Sequence, residues 1–490
     1  MADIILDCYT DEPSGLGVPP YLGTYPRYLA GRLEDPYYLT IDDLRSFFSD
    51  KRYDINKAQK TNIKIYNLTK NINNTREIIQ QANNLYVILG VHTPGKYLSS
   101  VPGTLRELSE IIKNLRSINK KIKTILTGPA VYGTQLEGGK FFEKTKDNLF
   151  DNIQNLDFSY DEISRYATKG AKILKQIDDL RIIEIETGHG CNSGKCSFCT
   201  EPLKHKLEFR NPEDILDETE AFYNLGARHF RLGKQSCFYS YPKPIGLLKT
   251  INEKFPEIKT LHIDNVNPVK VVNDKNHEIT KAIAKYCSPG NIAAFGVESF
   301  DKEVVKENCL NCTPETAFNA VEILNKYGAE RADNGMHKFL PGINILLGLK
   351  GESKKTHQAN MHWLQKIMDS NLLVRRINIR QVSIFQGTPL FKDCKNKFLK
   401  KNKKYYWKWR NEIRQKVDFP MLQKLVPKGT ILKDIRTEIY DGNTTFGRQL
   451  GTYPLIVGIK GRLGLKRFYN VKIVDHMLRS VTGEVIQSTS

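Results

Sequence analysis

The chain contains no uninterrupted apolar run long enough to span a bilayer, and no signal-peptide pattern opens it. It also lacks a disulfide framework: nine cysteines is an odd number, and all but one group are scattered. No internal repeat is present. These absences speak against a membrane span and a stapled secreted scaffold, and the expected setting is a reducing cytoplasm. Acidic residues are outnumbered, 54 Asp and Glu against 74 Lys and Arg, giving a net charge of +20 and a pI near 9.3. That excess points to a polyanionic partner, nucleic acid first, with a Lys-, Asn- and Ile-rich bias on an ordinary solvated surface as the alternative. At 490 residues, 40% of them hydrophobic and including 22 Phe and 23 Tyr, the chain has material for two or three packed domains.

The most informative segment is Gly-His-Gly-Cys-Asn-Ser-Gly-Lys-Cys-Ser-Phe-Cys, which ends at Cys199 and follows the strand-like run Arg181-Ile-Ile-Glu-Ile-Glu-Thr187. Cys191, Cys196 and Cys199 on a glycine-rich loop can fold around one soft metal centre. No fourth Cys lies nearby, so an iron–sulfur cubane held here would keep one iron free for a small molecule. A closed zinc site is the alternative for the loop alone, with His189 as fourth ligand.

Residues 181–390 alternate strand and helix, with strand-like runs at 181–187, 228–233, 259–263, 292–297, 339–347 and 374–385. Asn211-Pro212-Glu213-Asp214 opens a helix with Ile215, Thr219, Phe222 and Leu225 on one face and Gly226 at its end. Thr313-Pro314-Glu315 opens another, closed by Gly328. Such alternation implies a parallel sheet, doubly wound or curved into a partial barrel, with chemistry at the C-terminal strand ends.

With its companion motifs, the cysteine loop resembles the radical SAM superfamily of iron–sulfur oxidoreductases, of an archaeal type. Four residues stand between Cys191 and Cys196 where the family has three. The companions are Ala294-Phe-Gly-Val-Glu-Ser-Phe-Asp301, Gly342-Ile-Asn-Ile-Leu-Leu-Gly-Leu-Lys-Gly-Glu352 and Phe385-Gln-Gly-Thr-Pro389. The resemblance implies a (β/α)6 partial TIM barrel in which Cys191, Cys196 and Cys199 hold a [4Fe–4S] cluster. It implies that S-adenosylmethionine binds the open iron, with Phe198, Glu298, Ser299, Gly348 and Gly351 around it. A ferredoxin- or flavodoxin-type donor would supply the electron. Glu298 and Lys234 are the candidate catalytic residues, and Gln235, Asn265 and Arg380 could orient substrate. Plainer readings are a strand-end surface acid for Glu298, an ordinary solvated Lys234 and turn chemistry for the glycines.

Residues 1–140 read as a separate doubly wound α/β domain, from strand-like runs ending in turns at Asp7, Gly90 and Gly128. The segment Gly17 to Ala30 resembles the first helix of cobalamin-binding radical SAM proteins, which makes cobalamin a further candidate cofactor. Its lower-ligand motif is incomplete: Gly90-Val-His-Thr-Pro-Gly95 keeps His92 and Gly95 but lacks the Asp. Residues 141–180 read as a connector. Residues 391–424 form a basic helical linker in which Tyr405, Tyr406, Trp407 and Trp409 are interleaved with lysines and arginines. Its alternatives are an RNA-contacting face or an amphipathic helix packed on the barrel. Residues 425–484 resemble a TRAM domain, the small β-barrel that closes several tRNA methylthiotransferases. The second cluster of those enzymes needs three N-terminal cysteines, and Cys8 alone stands there. Cys309 and Cys312 form a pair without a matching pair, and Cys237 reads as a buried inert thiol.

The expectation is thus a radical SAM enzyme that cleaves S-adenosylmethionine reductively and modifies RNA, tRNA first, by methylation or related C–H functionalisation. The alternative is a cobalamin-dependent radical SAM methyltransferase acting on a protein or small metabolite. The non-enzyme alternative is an RNA-binding protein with a structural metal site.

Overall fold

Apolar runs such as Ile4-Ile5-Leu6, buried outright on both faces, belong inside a parallel sheet covered on both sides. A computed structural model describes residues 2–9, 21–48, 67–90, 102–136, 141–143, 145, 148–155 and 158–489. The chain divides into two units, residues 1–185 with 213–228 and 439–442, and residues 186–212 with 229–438 and 443–490.

In the first unit five parallel strands lie in the order Tyr37–Thr40, Ala2–Asp7, Ala82–Ile88, Lys123–Thr127, Asn152–Ile153. Numbered along the chain this is 2-1-3-4-5, a doubly wound order whose direction reverses beside Ala2–Asp7. Helix Leu105–Ile118 shows how the sequence sets this up: Thr104 caps it, and Leu105, Leu108, Ile111, Ile112 and Leu115 form one buried face. At the crest, Gly103 donates to the Cys8 carbonyl at 3.0 Å, and a side chain at Gly103 would meet the Cys8 Cβ at 3.0 Å. The Tyr9 hydroxyl donates to Asp42, and Arg45 bridges Asp42 and Glu107.

The expected connector is a packed element. Helix Tyr160–Gly170 crosses helix Thr24–Arg32 so closely that a Cβ at Gly31 would lie 2.0 Å from the Tyr166 carbonyl oxygen. A Cβ at Gly170 would lie 2.0 Å from the Arg27 carbonyl. Arg27 is fully buried, paired with Glu218 and bonded to the Glu184 carbonyl. Residues Tyr21–Leu22 pair in parallel with Ile182–Ile183.

The second unit is α/β. His229–Gly233 pairs with Thr260–Ile263, and Asn265–Val266, Asn291–Glu298, Phe339–Leu347 and Arg376–Gln381 follow in parallel order. Helices Pro244–Lys254, Glu278–Tyr286, Pro314–Gly328 and Lys354–Asp369 connect these strands. Thr313 caps the third of them, accepting from the Thr316 amide. Helix Lys397–Ile413 continues through a π-helical turn, Arg414–Asp418, into helix Phe419–Leu425. Its lysines face solvent while Asn402, Trp409 and Ile413 are buried. The Trp409 ring stacks on His357 and Tyr405.

A closed five-stranded barrel follows, in the order Ile431–Asp441, Thr444–Arg448, Val457–Lys460, Val481–Thr489, Phe468–His476. Closure leaves no sheet edge exposed. Its loop at 451–453 seats on the parallel strands. The Thr452 amide donates to His262 Nδ1 at 2.9 Å, and Arg375 donates to the Tyr453 carbonyl at 3.2 Å. Gly451 is required there, since a Cβ would meet the His262 ring at 2.6 Å. Among the described residues no helix is long and apolar enough to cross a membrane.

Candidate active site

Strand Ile182–Glu186 leads into the cysteine loop through a two-residue antiparallel pair, Gly188–His189 with Glu208–Phe209. Gly190 turns the chain at φ 77°, where a Cβ would lie 2.3 Å from the Lys206 carbonyl oxygen. Its amide donates to Glu201 at 2.8 Å. The Ser197 amide donates to the Asn308 carbonyl at 2.9 Å, and its hydroxyl to Asn308 Oδ1 at 2.8 Å. Asn308 also accepts from the Lys350 amide and donates to the Lys350 carbonyl. The Leu390 amide reaches back to the Ser197 carbonyl. One asparagine therefore ties the cysteine loop to the loop after Phe339–Leu347.

Cys191, Cys196 and Cys199 are all half-buried. Burial pushes Cys196 up to about 12, reinforced by the negative potential of Cys199, Glu298, Cys191 and Cys309. Burial likewise lifts Cys199 to about 11, with Glu201, Cys191 and Glu298 adding to it. The negative potential of Glu298 thus acts on both Cys196 and Cys199. Among the described residues no group of three or more Cys, His, Asp or Glu is gathered to metal-holding distances. The fit to a [4Fe–4S] cluster lies in the donor set: three thiols on one loop, which a bound cation would deprotonate.

Glu298 ends strand Asn291–Glu298 in a left-handed conformation, φ 62°, at a register shift against Phe339–Leu347. A non-glycine residue held there stores strain of a kind that clusters at functional sites. Burial raises its carboxyl to about 8, against a smaller opposing effect of Arg380. Lys234 shares the left-handed conformation, φ 68°, and its charge acts on Glu201. Phe198 packs against the buried cluster of Val304, Leu349, Val382 and Leu390. Ser299 is buried, with its hydroxyl accepting from the Asp301 amide. Gly348, at φ 99°, faces Leu399 and Val382, which a Cβ would meet at 2.6 and 3.0 Å. Gly351 is left-handed at φ 83°, with room around it. Gln235 is buried, and its carbonyl accepts from Asn265 at 3.3 Å. Cys309 is exposed and Cys312 buried. Cys237 is buried and accepts from the Asn267 amide at 3.2 Å. His92 and Gly95, and the segment 17–20, lie outside the described residues.

Four residues were missed by sequence reasoning. On strand Arg376–Gln381, Arg376, Asn378 and Arg380 alternate with buried Ile377 and Ile379. Asn378 donates to Asn344 Oδ1 at 3.0 Å across the sheet. Arg376 lies 4.1 Å over the Tyr453 ring, whose hydroxyl donates to Asp264 at 3.5 Å. Burial keeps the nearby His262 neutral, down at about 4. The period-two alternation in Arg376-Ile-Asn-Ile-Arg-Gln was the available signal for Arg376, Asn378 and, by register, Asn344. Nothing in the sequence pointed to Tyr453.

Residues 185–364 match the radical SAM superfamily. An uncharacterized protein of Methanocaldococcus jannaschii is 40% identical across 99% of this chain and 93% of its own length. An uncharacterized protein of Archaeoglobus fulgidus is 38% identical across 98% and 89%. Among solved structures, the radical S-adenosylmethionine methyltransferase TsrM from Kitasatospora setae is 14% identical, with TM-score 0.49 over 79% of this chain and 74% of that one. The cobalamin-dependent radical enzyme OxsB is 12% identical, with TM-score 0.46 over 83% and 56%. Enzymes with this domain use a [4Fe–4S] cluster and S-adenosylmethionine and need an electron donor. The chain thus carries a radical SAM superfamily domain and has archaeal relatives along nearly its whole length.

Proposed function

We propose that this enzyme cleaves S-adenosylmethionine reductively at a cluster held by Cys191, Cys196 and Cys199, and modifies RNA, tRNA first, by methylation or related C–H functionalisation. When bound, the cluster and S-adenosylmethionine supply a 5′-deoxyadenosyl radical that takes a hydrogen atom from substrate. The observation that carries the reading is the radical SAM match over residues 185–364, joined by three thiols on the loop after strand Ile182–Glu186 and a strained Glu298 at the end of strand Asn291–Glu298. Glu298, neutral near pH 7 and stationed beside the thiols, adds a hydrogen-bond donor without adding charge. Phe198 and its apolar neighbours exclude water on one side. The Asn344–Asn378 pair, with Arg376 and Arg380 on the same face, offers hydrogen bonds to a polar substrate group. RNA is favoured by the net charge of +20 and by the solvated lysines of helix Lys397–Ile413, although Trp409 and Tyr405 are engaged in packing and Trp407 alone of that set is largely exposed.

The test is anaerobic reconstitution followed by quantification of 5′-deoxyadenosine with and without bulk tRNA. Stimulation by tRNA that disappears in Cys196→Ala is the expected result. Cleavage indifferent to tRNA moves the substrate to proteins or metabolites. Absence of cleavage with an intact cluster overturns the radical reading.

A further inference from the structure

Arg414, in the π-helical turn Arg414–Asp418, reaches the start of strand Arg376–Gln381, and Arg410, Arg376 and Arg479, the last in the hairpin turn 477–480 of the small barrel, stand near enough for their charges to act on it. Arg414 is the deepest, 4% exposed. It donates to the Ile377 carbonyl at 2.6 Å and pairs with Asp418, while its Nε has no hydrogen-bond partner among the described residues. Arg410 precedes it by one helical turn. Arg375 is anchored on the Tyr453 carbonyl, and Arg376 on the ring of the same residue. Arg479 is exposed at the hairpin turn. Among the described residues, Arg375, Arg410 and Arg479 form no ion pair with a carboxylate.

The groups act on one another. Burial, then the charges of Arg479, Arg410 and Arg376, push Arg414 down to about 8. Burial, with Arg376 and Arg479, pushes Arg375 down to about 10. Arg414 has one carboxylate partner, Asp418, and Arg375 has a carbonyl, which leaves the group of cations in excess of its anions; guanidinium forks match tetrahedral oxyanions through paired hydrogen bonds. One carboxylate ligand would engage one or two forks; five suit a group with several oxygens. Lys400, Lys401, Lys403, Lys404 and Lys408 stand exposed on the helix that leads to this place, a path suited to further phosphates.

We propose that Arg375, Arg376, Arg410, Arg414 and Arg479 bind a phosphate group, supplied by the backbone of the RNA substrate. The source rests on the RNA reading above; the phosphate chemistry does not. The site lies at the N-terminal end of its strand and Arg376 faces the same side as Asn378 and Arg380, so it would anchor substrate at a distance from the cysteine loop.

The test compares the reconstituted full-length protein with Arg410→Gln/Arg479→Gln, which leaves the anchors of Arg414 and Arg375 in place. Binding of bulk tRNA is followed through a salt series, with Lys249→Gln/Lys254→Gln as the charge-matched control. The double arginine variant is expected to bind about tenfold more weakly, with the slope of log K against log salt shallower by about 1 for every phosphate it no longer grips. The control keeps the wild-type slope. Inorganic pyrophosphate is the second probe, expected to raise the wild-type melting midpoint by about 3 °C and the variant's not at all. If tRNA binds both proteins with the same slope and pyrophosphate shifts both or neither, the site is overturned and the RNA reading stands. If tRNA fails to bind wild type but the pyrophosphate shift is lost in the variant, the site stands and a smaller phosphorylated substrate replaces RNA. Should the double variant fold poorly by circular dichroism, Arg479→Gln alone carries the same comparison.

Discussion

Single residues carry two kinds of burden here, and Glu352 separates them. In the sequence it completes a Gly-Leu-Lys-Gly-Glu segment that resembles a cofactor-binding motif; in the structure its carboxylate braces the fold. It accepts from the Gly348 amide at 2.7 Å and from Asn402 at 2.9 Å, and burial raises it from 4.5 to about 7. The folded state holds this proton more tightly than the unfolded chain does. Its contribution to stability therefore falls as pH rises from 4.5 to about 7 and is constant outside that window, by an amount on the order of 3 kcal/mol. Urea unfolding at several pH values should show this slope in wild type and not in Glu352→Gln. The same neighbourhood yields a coupling test. Gly348→Ala drives a methyl into Leu399 and demands a left-handed alanine, a destabilisation of about 2–3 kcal/mol. Adding Leu399→Ala should return part of that stability, leaving the backbone strain, so the two substitutions will not be additive in a double-mutant cycle.

At the scale of elements, the sequence was legible wherever one period governed a segment. The apolar runs at 4–6 and 85–88 and the largely apolar 339–347 are strands, and the capped helix opening at Thr313 starts at Pro314. The basic-aromatic segment had two readings because helix periodicity cannot tell a ring that stacks on a base from one that stacks on His357. The structure shows Trp409 buried and the lysines outside. The role of Gly31 and Gly170 was not legible at all, since each is explained by a backbone from a distant part of the chain. Gly31→Ala is expected to destabilise by about 3 kcal/mol despite alanine's better helix propensity, because its methyl meets a carbonyl oxygen that cannot rotate away. Differential scanning calorimetry would detect it as a drop of several degrees in the midpoint.

For the whole molecule, the radical SAM domain was legible in the cysteine triplet and its companion motifs, because three thiols in nine residues need no tertiary information to be read. The polar face proposed to meet substrate was hidden, being assembled from strand register and from a loop more than seventy residues beyond the strands it touches. Tyr453 and Thr452 make the small barrel part of the second unit's interior polar surface. Removing the barrel after residue 426 should therefore expose Arg375, Arg376 and His262 and give a catalytic core that aggregates or melts well below the full chain. A truncated protein with unchanged melting behaviour would count against that dependence.

Asn308 joins the cysteine loop to the loop beneath the basic helix, so a cluster held there as proposed would have a mechanical route outward. A loop clenched around that cluster would keep Ser197 against Asn308; a loop emptied by oxidation would strain that grip, and with it the turn on which Leu399 and Asn402 rest. The lysine-rich helix should then become an early target for trypsin in oxygen-damaged protein and stay resistant in reconstituted protein. Metal loss would mark the molecule for cutting at a place remote in sequence from the metal itself.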